Sequence, residues 1–309
     1  MHTVHTSPAR SILSRMIHAS PFAIALLASQ PAMAHPTEAE KPLGSDRPSE
    51  SAMPAGSSWL LSPTSRDERR PLSADRPDAT ESPYTLDAGA VQIEISFVEY
   101  ALDADSDGDT STLDIAPFNL KLGLTEHADL QILFNPYTQL DTPGSDTDGI
   151  GNLTLRLKHN LWGNDRGDFA LAIMPLITLP TGRGDLSTDH VEGGVVVPAA
   201  WDLSGSWGEG WSVGGQVEIG FVRNDTNTGH DTVLAHTAVL GVPINDTFAA
   251  YFEYIGEFNS TSDNYAPALS GGLTYAVDGD TQLDVGLVFG LDNGDTDDVK
   301  VFAGLTKRF

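Results

Sequence analysis

The stretch "DADSDGDTSTLD" sets Asp103, Asp105, Asp107 and Asp109 at alternate positions, with Gly108 in sixth place and Asp114 in twelfth. This is the oxygen-ligand spacing of a calcium loop, where carboxylates surround a hard cation and a glycine permits the sharp turn. The expectation it raises is Ca2+ at an extracellular loop. Against it, the flanking patterns are strands and not helices, Asp stands where a bidentate Glu is usual, and Thr110 replaces the usual apolar residue. A run of like charge is more simply a solvated loop. "DNGDTDD" at 292–298 is a weaker second cluster.

Other site chemistries find little support. The chain has no cysteine, so thiol nucleophiles, thiolate metal sites and disulfides are excluded. No glycine-rich loop joins a strand to a helix, and the nine histidines are scattered. His159 and His236 fall in strand patterns, but neither stands in a His-x-Ser arrangement. The reading is that the protein is not an enzyme. Net charge is −26, and removing residues 1–34, which hold Arg10 and Arg15 and no acid, takes it to −28. That charge repels nucleic acid and leaves no basic patch for phosphates.

The elements that must position any site are strands. "GAVQIEISF" places Val91, Ile93, Ile95 and Phe97 on one face and Gln92, Glu94 and Ser96 on the other. "GNLTLRLKHNL", "WSVGGQVEIGF" and "TQLDVGLVFGL" alternate in the same way. A period of two means strands with one apolar and one polar face. About twelve such segments follow residue 88: 89–102, 111–124, 127–140, 148–161, 168–180, 192–203, 210–223, 231–243, 247–258, 266–277, 280–291 and 299–309. Most exceed the usual globular strand and suit a tilted strand crossing a bilayer. The links alternate too. Those after even-numbered segments are short ("TEH", "IND", "DG"). Those after odd-numbered ones are mostly longer and acidic ("DADSDGDT", "NDTNTGH"). Short turns on one side and long loops on the other is the wiring of an outer-membrane barrel.

The expected fold is therefore all-β: one transmembrane antiparallel barrel over 89–309. A signal peptide over 1–34, cleaved near Ala34, precedes it, and so does a Pro/Ser-rich irregular segment over 35–88. That segment could form a periplasmic tail or a plug, with Arg66, Arg69 and Arg70 meeting interior acids. Trp162, Trp201, Trp207 and Trp211 all fall in or beside short links, as an interfacial belt would place them, while Trp59 lies apart in the leading segment. Pro117, Pro136, Pro175 and Pro198 fall inside strand patterns, and each requires a bulge or a break. By parity, Glu94, Lys121, Arg156, Lys158, Glu218, Glu253, Glu257 and Asp284 face the lumen. There they would either pair as a rigidifying network or line a path for solute.

Three stretches carry a resemblance. "ADRPDATESPYTLDAGAVQIEISF", "MPLITLPTGRGDLST" and "GLTKRF" resemble segments of outer-membrane transporters of the family named for the meta-cleavage pathway of phenol degradation. The likeness runs over residues 74–309. It implies passive passage of small molecules, including hydrophobic or aromatic ones, across the bacterial outer membrane. The chain's finish also resembles the last strand of such barrels, with Phe309 as the terminal aromatic residue that the barrel assembly machinery recognises. The partners implied are outer-membrane lipid and lipopolysaccharide, that machinery and a small-molecule solute, with no nucleic acid. A secreted soluble β-sandwich that binds a ligand, and a non-conducting structural or adhesive barrel, remain the alternatives.

Overall fold

The structure is a computed structural model that describes residues 58–105, 108–165, 167–224, 229–291 and 296–309. The expected signal peptide lies outside the described residues, as does the first part of the Pro/Ser-rich segment. Fifteen strand segments run β1 (Val91–Asp105), β2 (Gly108–Ile115), β3 (Phe118–Thr125), β4 (Ala128–Phe134), β5 (Tyr137–Thr142), β6 (Ser145–Gly149), β7 (Leu153–Trp162) and β8 (Phe169–Leu179). They continue with β9 (Glu192–Asp202), β10 (Ser212–Arg223), β11 (His230–Pro243), β12 (Phe248–Asn259), β13 (Asn264–Asp278), β14 (Thr281–Gly290) and β15 (Val299–Arg308).

These make twelve staves, because three staves are each built from two segments. Along one edge, β1 pairs with β3 from Val91 to Ile95 and with β2 from Val98 to Asp105. Hence β2 and β3 are one stave, interrupted at Ala116–Pro117. There Ala116 takes φ 58° and β1 bulges opposite, between Ser96 and Val98. Proline cannot donate to the ladder, so pairing lapses there and the apolar parity changes, while β1 keeps one register with β2 and β3 and shifts only against β15. In the same way β4 and β5 flank Asn135–Pro136, and β6 and β7 form the fourth stave. Every neighbour is antiparallel, and β15 returns to β1 from Gln92↔Arg308 to Leu102↔Val299. The ring is closed through β7 and β8, and among the described residues only the short β6 lacks a strand partner on one side. That closure rules out the two-sheet sandwich.

Burial is inverted relative to a soluble protein. On β14 the exposed residues are Val285 (52%), Leu287 (39%) and Phe289 (48%), while Gln282 (6%) and Asp284 (5%) are buried. The same alternation recurs round the ring, so the apolar face looks out and the polar face looks in. Charged groups on the outer face keep to the rims. Lys307 turns outward at the end of β15, where its ammonium reaches Thr281 Oγ1 and lies 3.7 Å from Asp278. A long stem at the interface keeps its head in water.

Trp59 does not lie apart. It bridges to Thr125, and the Leu60 amide donates to Leu124 O (2.9 Å), beside the short turn at Glu126. All five tryptophans thus gather at the short-turn rim. Phe169 packs on Trp201 (4.5 Å between centroids), and Trp207 packs on Trp211 (5.6 Å). Amphipathic rings at one level mark the membrane interface.

Candidate functional site

The interior is occupied by the chain itself. From Ser73 to Asp87 the backbone enters the barrel at the short-turn end and crosses it as a strap before β1 begins. Two glycines make room. A Cβ at Gly123 would overlap the Asp87 carbonyl, and one at Gly304 would overlap the Arg76 guanidinium. The strap has no regular ladder, so its polar groups depend on the barrel wall.

The wall meets them mostly with charge. Asp75 is held by Lys158 (2.7 Å) and Lys121, and also accepts from Gln131 Nε2 (3.3 Å) and the Ser82 amide (3.1 Å). Lys121 also pairs with Glu94 (2.7 Å), whose carboxylate accepts the Asp75 amide (2.9 Å). Arg76 spans Asp284 with two bonds (2.7 and 3.1 Å), donates to Ser96 Oγ, and stacks over Phe302 at 5.7 Å. Glu81 pairs with Arg156. Near the end of the strap, Asp129 accepts the Leu86 amide (3.0 Å). Asn160 donates to Pro83 O (2.8 Å), and Arg308 donates to Arg70 O (2.7 Å). All of these are nearly dry, and enclosed charges persist when paired this completely. Burial pushes the Asp75 carboxyl up, but Lys121 and Lys158 outweigh it and hold it well below the usual carboxylate range.

The other side of the lumen is different. β8, β9 and β11 present Ala170, Ala172, Met174, Val196, Ala200 and Val239 inward, all buried and none charged. The strap's contacts on this side are neutral. The Glu81 amide donates to Gln216 Oε1 (2.6 Å), Gln216 Nε2 donates to Ala79 O (3.0 Å), and Thr80 meets Thr237. Between Thr80–Tyr84 and the wall at Ala200, Gly214, Val239 and Gly241 lies a void of about 20 Å³. That is room for little more than one water.

Seven of the eight residues assigned to the lumen by parity are buried there: Glu94, Lys121, Arg156, Lys158, Glu253, Glu257 and Asp284. Glu218 also faces inward but is only partly covered. Six of the eight touch the strap or its partners. Glu218 and Glu257 stand beyond it, on either side of Ala235 in one register row, with no ion pair among the described residues. Parity missed the other half of the site. Asp75, Arg76, Asp78, Thr80 and Glu81 sit in a segment without period, and only the "DRPDATES" stretch marked them out. The leading arginines do not go inside as expected. Arg70 pairs with Asp87 (2.7 Å) and Asp165 (3.3 Å), Arg69 donates to Phe309 O (2.7 Å), and Arg66 lies in an exposed 3-10 turn. Of the arginines in the leading segment, Arg76 is the one buried among the lumen acids.

Where the structure describes it, the acidic stretch is extended. Asp103 and Asp109 lie on an extended hairpin, β1 to β2, with Asp103 opposite Thr110 and Asp105 opposite Gly108. Asp107 lies outside the described residues. Asp114 sits farther down β2, opposite Glu99, where it accepts from Asn135 Nδ2 (3.3 Å) and Thr138 Oγ1. Six residues of strand, about 20 Å, separate Asp114 from Gly108, so twelfth-place ligation is corrected to a role in the lumen wall. Among the described residues no cluster of three or more acids or histidines has metal-binding geometry. Phe309 continues β15, its amide donating to Val91 O (2.8 Å) and its ring exposed at the tryptophan rim.

Residues 74–304 match the family described as "Putative MetA-pathway of phenol degradation". The match begins at the first fully buried residue of the strap. No curated protein matches. Among solved structures, the COG4313 outer membrane channel from Pseudomonas putida F1 is similar at a TM-score of 0.55 and 14% identity, over 76% of this chain and 99% of that one. The CymD monoaromatic hydrocarbon channel aligns at a TM-score of 0.41 and 10% identity, over 71% of this chain and 88% of that one. The NanC porin aligns at 0.44 and 10%, over 70% of this chain and 98% of that one. At these identities the first likeness speaks for the fold.

Proposed function

The chain belongs to the family described as "Putative MetA-pathway of phenol degradation", and from that premise we propose that it is an outer-membrane channel for passive passage of small apolar or aromatic molecules. The observation that carries this reading is the two-sided lumen. A wall of Ala170, Ala172, Met174, Val196, Ala200 and Val239 offers nothing to a charged solute and a low-friction surface to an apolar one. The strap is fastened by ion pairs to the opposite wall. The narrow void beside Thr80–Tyr84 therefore marks the seam along which a small solute would pass when the strap shifts.

The residues of the reading have separate roles. Lys121, Lys158, Arg156, Glu94 and Asp284 fasten the strap, and Glu253 tethers it through the Ala79 amide (2.6 Å) and Thr80 Oγ1 (2.9 Å). Glu218 and Glu257 stand at the outer side of the lumen, where a solute arriving from outside would meet them first. The test is uptake by a strain lacking the protein and complemented with it, across a panel of aromatic, aliphatic and charged solutes. Complementation should restore growth on apolar solutes. Equal effects on all solutes, or none, would discard the reading.

The density of ion pairs on the strap favours a second reading, a closed barrel that serves the membrane as structure. Planar-bilayer recordings of the intact protein separate the two, since a structural barrel with its strap in place conducts nothing at any applied voltage or solute concentration.

A further inference from the structure

Several of the buried acids in this lumen are matched to cations. Lys121 and Lys158 serve Asp75, Lys121 also serves Glu94, Arg156 serves Glu81, Arg76 serves Asp284, and Lys300 serves Glu99 (2.5 Å). Asp78, on the strap, is 1% exposed, and neither carboxylate oxygen has a hydrogen-bond partner beyond the approach of its own backbone amide. The acid packed against it is Glu253 of β12, which acts on it with like charge. Glu253's own oxygens are taken by two donors, the Ala79 amide (2.6 Å) and Thr80 Oγ1 (2.9 Å). Glu253 thus has two neighbouring donors that favour its charged form, and Asp78 has none beyond its own amide. The other groups facing Asp78 bring no cation. From β12 there is Tyr251, whose hydroxyl meets Ser270 (3.1 Å), and from β14 there is Asp284, already neutralised by Arg76. From the strap there are Asp75 and Glu81. Facing the strap from β10 and β11 are the neutral Gln216 and Thr237.

Two enclosed carboxyls without a cation cannot both ionise. We propose that Asp78 and Glu253 form a one-proton latch: the strap seats with Asp78 protonated, and loss of that proton loosens it from the wall.

The sign follows from burial, which lifts the Asp78 carboxyl well above its ordinary value, with Glu253 adding to the lift. A free strap would ionise in the usual carboxylate range. The seated state thus holds a proton that the free state gives up, so seating weakens as pH rises through that interval. The latch rests on the strap's position in the lumen and not on passage of solute, so it stands or falls apart from the channel reading.

The absence of native cysteine allows a direct test. Ala74→Cys introduces a buried thiol on the strap, and its labelling rate in the detergent-folded full chain reports unseating. The same measurement with Asp78→Asn added cancels the reagent's own pH dependence. The ratio of the two rates should be near one in acid and should rise by up to about tenfold per pH unit as the solution becomes alkaline. Glu253→Gln removes the like charge but not the burial, so it should shift the rise to lower pH, whereas Asp78→Asn abolishes it. Gel mobility before and after boiling confirms that each variant forms the barrel. A ratio that stays flat, a thiol protected at every pH, a pH dependence left unmoved by Glu253→Gln, or a rate set by added Na+ or Ca2+ at fixed pH would each overturn the latch.

Discussion

The two walls of the lumen treat the same strap in opposite ways. On the side of β1, β3, β4, β7, β14 and β15 it is held by charge-assisted bonds to Lys121, Lys158, Arg156, Glu94 and Asp284. On the side of β8 to β11 it meets alanine, valine and methionine and is tied by a glutamine and a threonine. A buried ion pair adds little net stability compared with an apolar contact, but it costs much to break. Charge on one wall therefore fixes where the strap sits, while the other wall can separate from it without leaving an orphaned charge. A barrel closed by its own chain can in this way have one side built to stay shut and one side built to part.

The largest effect should come from cutting the charged fastening. Asp75→Ala leaves Lys158 without its ion-pair partner and Lys121 with Glu94 alone. Removing one member of a buried pair costs about 3–5 kcal/mol. Strap seating should be lost, and planar-bilayer conductance should rise from the closed level to a steady open one. Conductance equal to wild type would mean that the strap is not fastened by this wall.

Gly304→Val attacks the same wall without touching a charge. Gly304 lies under the Arg76 guanidinium, and any side chain there displaces it from Asp284. Overpacking of this kind costs about 1–3 kcal/mol. The expected result is a conductance that flickers between closed and open levels, intermediate between wild type and Asp75→Ala. Gly304→Ala should do the same more weakly.

On the apolar wall the sign of the effect reverses. Ala200→Phe fills the void beside Tyr84 and leaves every ion pair of the strap intact. The strain, again about 1–3 kcal/mol, falls on the seam. Uptake of apolar solutes should fall while ion conductance in the Asp75→Ala background stays high. If both fall together, solutes and ions share one route and the two walls do not differ in function.

How much of this was legible beforehand follows from which residues obey a period. The staves show because β14 must put Leu283, Val285, Leu287 and Phe289 toward lipid and Gln282 and Asp284 toward the lumen. That constraint writes itself into the sequence at period two. The break in the second stave was also visible, as the parity change at Pro117; the structure interrupts the stave there, and the bulge itself falls on the facing β1, against β15. The strap has no such constraint. Each of its residues answers to a different strand, Asp75 to β3 and β7, Arg76 to β14, Thr80 to β11 and Glu81 to β7 and β10. Contacts so scattered leave no period to read. Arg66, Arg69 and Arg70 drew the plug assignment because they cluster, yet the arginine inside is Arg76, placed by the space over Gly304, a feature of distant sequence. The acidic loop shows the opposite case. Its spacing fits a calcium loop, but the hairpin that joins two staves keeps it extended.

The smallest expected effect is the sharpest test of the comparison. Gln216 ties the strap to the apolar side with two neutral bonds, to the Glu81 amide (2.6 Å) and the Ala79 carbonyl (3.0 Å). Gln216→Leu removes both. Neutral bonds contribute about 1 kcal/mol each, and the strap's backbone can turn to water in the void next to it. Seating should therefore weaken by about 1–2 kcal/mol, less than half of what Asp75→Ala removes, and the lost tether is the one nearest the seam. Uptake of apolar solutes should rise slightly while ion conductance stays at the closed level, because the charged wall still holds. An effect as large as that of Asp75→Ala would show that the neutral side bears the strap equally, and the division of labour between the walls would be wrong.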